Sequence, residues 1–155
     1  MVAPAPETPR VRVAALIMLD GKVVLVRHRA RGSRYHLLPG GGVHYRETLE
    51  QALMREVDEE TGLLVEIGRP VIINDTIDPL GSRHVVNITF LATVTGGQIT
   101  DNPQDPRVEG VDLVEVSSLQ ALDLRPPLAE AITALADCPD APTVYLGPLF
   151  RDAAT

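Results

Sequence analysis

Apolar and polar positions along the 155-residue chain fall into short β-like runs broken by turn residues, with two longer runs of helical period. Residues 11–19 and 23–26 are apolar and rich in β-branched side chains, with Asp20-Gly21 between them. A type I′ turn needs positive φ at both central positions, so this pair predicts a hairpin. Residues 27–36 read as a basic loop, and residues 35–38 as a short strand stopped by Pro39. Residues 49–61 have helical period. Thr48 followed by Gln51 forms a capping box at the start, and Gly62 sits where a left-handed cap closes a helix. Residues 63–67, 71–74, 84–95 and 111–116 read as strands, and residues 98–110 as a polar loop with Pro103 and Pro106. Ser117 or Ser118 is placed to cap a short helix through Leu122, and Pro127 to open a helix over residues 128–136. The proline-interrupted stretch 139–155 shows no period, and residues 1–9, with three prolines, read as a flexible tail. Strands that alternate with two or three helices predict one α/β domain over residues 10–155, a mixed β-sheet with helices packed on it.

The helix over residues 49–61 carries the chemistry. With Leu49 at zero, Leu53 falls near ~40°, Val57 near ~80° and Ala52 near ~300°, which is the buried stripe of an amphipathic helix. Glu56 near ~340° and Glu60 near ~20° fall inside that stripe, and Glu59 near ~280° lies at its rim. A buried, unpaired carboxylate costs several kcal/mol, so something must offset these charges. Arg55 can pair cleanly with one of them. A divalent cation can balance several, because side chains at i, i+3 and i+4 converge near one end of a helix. Hard oxygen donors of this kind select Mg²⁺ or Mn²⁺. The plainer alternative is a helix at the sheet's edge with Glu56 and Glu60 reaching water.

Composition and charge narrow the field. The apolar fraction of 45 % and charged fraction of 23 % suit a globular core. No apolar run approaches the ~18 residues of a membrane span. Residues 1–9 lack a basic region followed by an apolar one, so no secretory signal is expected and the cytoplasm is the expected compartment. Cys138 is the one cysteine, which excludes an internal disulfide and any zinc site needing two thiolates from this chain. The net charge of −7 argues against a nucleic-acid polymer as partner. Its distribution is uneven: residues 1–46 carry eight Lys/Arg against two acids, and the remainder six against nineteen. A basic segment beside an acidic helix suits a metal-bound anion, although two solvated faces would look the same. No calcium loop of the D-x-[DN]-x-[DN]-G type and no G-x-S-x-G nucleophile elbow occurs.

Residues 41–63 read GGVHYRETLEQALMREVDEETGL. They resemble the Nudix box, the signature of the Nudix hydrolase (MutT-like) family, at all nine fixed positions: Gly41, Glu47, Arg55, Glu56, Val57, Glu59, Glu60, Gly62 and Leu63. Weaker resemblance extends to the N-terminal hairpin, to Leu38-Pro39-Gly40 before the box, and to a strand and short helix near residue 113. The resemblance implies a Nudix-type α/β/α sandwich and divalent-metal-dependent hydrolysis of a nucleoside diphosphate joined to another group. It also implies that Glu56, Glu59 and Glu60 hold the metal with the carbonyl of Gly40, and that Glu47 and Arg55 support the loop and helix. The general base is then Glu56 or an acid in a loop before a late strand; here that acid is Glu109, with Asp105 and Asp112 as weaker candidates.

Arg27, Tyr35 and Gly41 are the expected substrate contacts: a guanidinium for phosphate, a ring for a base, and backbone without a Cβ in the way. Pro79, sixteen residues beyond Leu63, is a mark of ADP-ribose hydrolases in the family; a nucleoside triphosphate is an equal candidate. A Nudix-type module that binds a nucleotide without cutting it is the alternative function, disfavoured by the intact glutamate set. The partner is a small nucleotide, and a homodimer is left open.

Overall fold

The structure, a computed structural model, describes residues 7–150. The tail expected over residues 1–9 therefore lies mostly outside the described residues, as do residues 151–155. The elements run β1 (Arg10–Leu19), β2 (Lys22–Ala30), β3 (Ser33–Leu37), β4 (Gly40–Gly42), α1 (Leu49–Thr61), β5 (Leu63–Ile77), β6 (His84–Gly97), β7 (Val108–Glu115), a 3-10 helix (Val116–Ala121), α2 (Ala129–Asp137) and β8 (Val144–Pro148). Strand order is β3-β2-β1-β6-β5-β8, with β4 paired to β1 and β7 to β2. β1 runs parallel to β6 and β5 parallel to β8, while the other pairs are antiparallel, so the sheet is mixed.

β1 shows why the sheet is covered on both sides. Its residues are buried without a break from Val13 to Ile17. Val13, Ala15 and Ile17 pack with Ala52, Leu53 and Val57 of α1. Ala14 and Leu16 pack with Ile132 and Leu135 of α2. A central strand that must be apolar on both faces reads as a continuous apolar run rather than an alternating one. This is the expected α/β/α sandwich. No helix of the described residues is long and apolar enough to cross a membrane.

Asp20 and Gly21 have φ of 52° and 75°, as the predicted turn requires. The basic loop expected over residues 27–36 is instead a second hairpin. β2 continues to Ala30, Arg31 and Gly32 turn with φ of 52° and 80°, and β3 returns. Arginine is not a usual type I′ residue, which hides the turn. The two strands expected over residues 63–74 are one strand, bent by irregularities in register between Ile67 and Ile72. The short helix is 3-10, with no side-chain cap from Ser117 or Ser118. Residues 144–148 form an edge strand, β8, that no hydrophobic period announced. Cys138 is exposed.

Candidate active site

α1 forms with the bounds its signals predict. Thr48 Oγ1 accepts from the Gln51 N–H, Gln51 returns the bond to the Thr48 N–H, and Gly62 closes the helix in the left-handed conformation. The loop after β6 docks on the helix end: the Thr100 and Gln104 N–H groups donate to the carbonyls of Thr61 and Glu59. These bonds satisfy acceptors that a helix C-terminus leaves open, and they bring Asp105 and Arg107 alongside the glutamates.

Glu60 is 2 % exposed, as its place on the helical wheel requires. Its Oε1 accepts from the Gly40 N–H at 2.7 Å. Its Oε2 lies 3.9 Å from Nε2 of His28, a buried nitrogen with no hydrogen-bond partner. Glu56 lies beneath Gly41, where an added Cβ would run into its carboxyl group. A side chain at 41 would thus displace the Glu56 carboxyl, while a Cβ at Gly40 would strike the backbone of Val13.

Arg55 ties the acids together. Its Nε and Nη2 donate to the two oxygens of Glu47, both at 2.8 Å. Its Nη1 donates to Glu56 Oε1 at 2.8 Å and stands 3.5 Å from Glu59 Oε2, and Nη2 also reaches the Gly42 carbonyl. The Arg55 bonds, with a further one from the His44 N–H, hold Glu47 down to a pKa of about 2. The bond to Glu47 raises the Arg55 guanidinium in turn. Burial pushes the Glu56 carboxyl up. The Arg55 bond opposes this, and the nearby charges of Glu60 and Glu59 add to it.

This set has the donor chemistry of a hard-cation site: three carboxylates on one helix end, mutually repelling, with backbone at Gly40–Gly41 pressed against two of them. Among the described residues no three acidic, His or Cys side chains converge on one point. Glu56 and Glu59 instead share the guanidinium of Arg55 as counter-cation.

Beside the glutamates opens a cleft of about 590 Å³. Its walls include Gly40, Gly41, Glu60, His28 and Tyr35, together with Arg10, Arg12, Arg31, Arg83, Arg107 and Arg125. The Arg12 guanidinium donates to the Leu38 carbonyl at 2.9 Å. Burial lowers its pKa against the pull of Glu60 and Glu56. Tyr35 carries the guanidinium of Arg125 over its ring at 4.1 Å and lies tilted against the His28 ring, the centroids 5.4 Å apart.

Gly40, Gly41, Glu47, Arg55, Glu56, Glu59 and Glu60 are therefore brought together, and Tyr35 lines the adjoining cleft. Arg27 and Glu109 are not brought to them. Alternation along β2 places His28 on the α1 face and Arg27 on the other. There Arg27 Nη1 is held by both oxygens of Asp112 at 2.6 and 2.7 Å. Glu109 forms ion pairs with Arg27, Arg29 and Arg34 on that same side. Asp112 also pairs with His36 at 2.8 Å, and those bonds lower its carboxyl although burial works against them. Asp105 is held by Arg107. His28, Arg12, Arg107 and Arg125 are site residues that sequence reasoning missed. For His28 the signal was present: Val24, Val26 and His28 share one face once the strand is read through to Ala30.

A family model described as the NUDIX domain matches residues 8–135. An ADP-ribose pyrophosphatase of Methanocaldococcus jannaschii is 31 % identical over 112 residues, 72 % of this chain and 66 % of that protein. The NAD-capped RNA hydrolase NudC of Escherichia coli O1:K1 is 31 % identical over 93 residues, 60 % of this chain and 35 % of that protein. The chain thus spans about two thirds of one relative's length and about a third of the other's. A solved NUDIX hydrolase from Nitrosomonas europaea superposes with a TM-score of 0.75 at 24 % identity, covering 88 % of this chain and 94 % of that one, and shows the same fold.

Proposed function

Because this chain belongs to the Nudix hydrolase family, whose domain spans most of its length, we propose that it is a divalent-metal-dependent pyrophosphohydrolase acting on a nucleoside diphosphate joined to another group. ADP-ribose and nucleoside triphosphates are the leading candidates: the first is the substrate named for the archaeal relative, and the second suits the basic cleft. The observation that carries this reading is Glu56 and Glu60 on the buried stripe of α1, braced by Gly40, Gly41 and Arg55, beside an arginine-lined cleft.

Glu56, Glu59 and Glu60 would hold Mg²⁺ or Mn²⁺, together with the Gly40 carbonyl. Such an ion neutralises phosphate oxygens and acidifies a bound water. The chain's own groups supply the rest. Arg12 and Arg107, which both feel the charges of Glu56 and Glu60, neutralise the diphosphate. Glu56, which stands beneath Gly41 at the end of the cleft, takes the proton of the attacking water. Water's oxygen bonds to one phosphorus, the bridging P–O bond breaks, and the bridging oxygen leaves with the other phosphoryl group. Arg55 and Glu47 orient the acids without touching substrate.

The test is turnover of a panel of nucleoside triphosphates, dinucleoside polyphosphates, ADP-ribose and nucleotide sugars with Mg²⁺ or Mn²⁺. Cleavage of at least one at its diphosphate bridge, abolished by EDTA, is the expected result. Binding without cleavage across the panel would replace this reading with that of a nucleotide-binding regulatory module.

A further inference from the structure

The arginine cleft holds more positive charge than a diphosphate bridge needs. Six guanidiniums line it, against the carboxylates of Glu60 and Asp78. Three of the six are partly compensated: Arg107 by Asp105, Arg125 by Asp123, and Arg12 by the nearby charges of Glu60 and Glu56. The Asp78 carboxylate is turned to its own loop, accepting from the Leu80 N–H and the Ser82 hydroxyl. Arg10, Arg31 and Arg83 form no salt bridge among the described residues. They come from separate places: the start of β1, the turn between β2 and β3, and the turn between β5 and β6. Three unpaired cations of one sign on a common concave wall repel one another, and a polyanion relieves that repulsion. Arginine suits the task, since its fork binds phosphate oxygens in pairs.

Position separates these arginines into two groups. Arg12 is bonded to the Leu38 carbonyl, two residues before Gly40, and Arg107 follows the loop docked on the end of α1, so they belong with the scissile bridge, and Arg83 stands near enough to Arg12 for its charge to be felt there. Arg31 and Arg83 sit at hairpin tips on the rim. We propose that Arg31 and Arg83 form a subsite for a terminal phosphate beyond the cleaved bridge, and that the substrate is a nucleoside triphosphate or longer nucleoside polyphosphate rather than a nucleoside diphosphate sugar. The inference rests on the diphosphate-cleaving reading above and narrows it. ADP-ribose ends in a neutral sugar and leaves this subsite without a partner, whereas a triphosphate hydrolysed at its inner bridge leaves as a nucleoside monophosphate and pyrophosphate.

The experiment compares kcat/KM for a set of nucleoside triphosphates and for ADP-ribose, with Mg²⁺, in the wild type and in Arg31→Asn/Arg83→Gln. Asparagine tolerates the positive φ at position 31, so the turn persists; an unchanged melting temperature checks this. A second arm measures binding of inorganic tripolyphosphate and pyrophosphate by calorimetry. The expected results are a wild-type preference for a triphosphate over ADP-ribose and at least tenfold tighter binding of tripolyphosphate than pyrophosphate. Both gaps should shrink at least tenfold in the double variant. A wild-type preference for ADP-ribose, or equal losses on both substrates, overturns the subsite while leaving the diphosphatase reading intact. Tight, Arg31- and Arg83-dependent tripolyphosphate binding with no cleavage of any compound supports the subsite and overturns the hydrolytic reading.

Discussion

At the residue scale, each glutamate of the box has a different surrounding. Glu60 is buried and fixed by the Gly40 N–H, while Glu56 is raised by burial and by its acidic neighbours. Glu59 stays at the rim, and Glu47 is drawn into the Arg55 fork. Glu60→Gln retains an oxygen for the Gly40 bond, so the fold should persist. Turnover should fall by at least about 100-fold, more than the loss usual for groups that only orient ligands. Circular dichroism together with steady-state rates checks both halves. Arg55→Lys keeps the charge but loses the fork to Glu47, and a loss of about 10–100-fold in kcat with little change in KM is expected. A raised KM at unchanged kcat would assign Arg55 to substrate instead. His28 shows what sequence inspection misses: it falls inside the stretch 27–36 that reads as a basic loop, and only the continuation of β2 turns it towards Glu60.

At the scale of elements, α1 was legible almost to the residue, because its cap, its apolar stripe and its closing glycine all agree. Thr48→Ala removes one half of the capping box and should cost about 1 kcal/mol, read as a lower urea midpoint at unchanged slope. The second hairpin and β8 were not legible, for physical reasons. Arg31 takes a positive φ that its residue type rarely adopts, and β8 is a short edge strand whose Val144 and Tyr145 are exposed. β8 is held by pairing with β5 and by the Tyr145 hydroxyl on Asp75, contacts more than 65 residues distant in sequence that no local pattern encodes. The same error hid the role of β7. Read as a loop acid, Glu109 was a candidate base; placed at the irregular step of the β2–β7 pairing, it belongs to an arginine cluster on the other face.

For the whole molecule, a chain of net charge −7 builds a cationic cleft by folding arginines from five segments onto one wall. Net charge predicted against a polymer partner but was silent on this local field. The acids outside the cleft set the response to pH. Glu47 is lowered from 4.5 to about 2, and Asp105 and Asp112 are also lowered. Groups with depressed folded values stabilise the protein above their ordinary range and lose that contribution as pH falls towards the folded value. The melting temperature should therefore drop steeply below about pH 4.5, and less steeply in Glu47→Gln. Glu56 works in the opposite sense: raised in the fold, it costs stability as pH rises, which is the cost of keeping a carboxylate where a helix would bury leucine.

The most direct test of the account is therefore made on Glu56→Gln, by following Mg²⁺-dependent hydrolysis of the best substrate of the panel beside thermal melting without metal. Turnover reduced by at least about 100-fold, with a melting temperature at or above that of the wild type at neutral pH, is the predicted result. Wild-type turnover in that variant would contradict the claim that the acids of α1 carry the reaction.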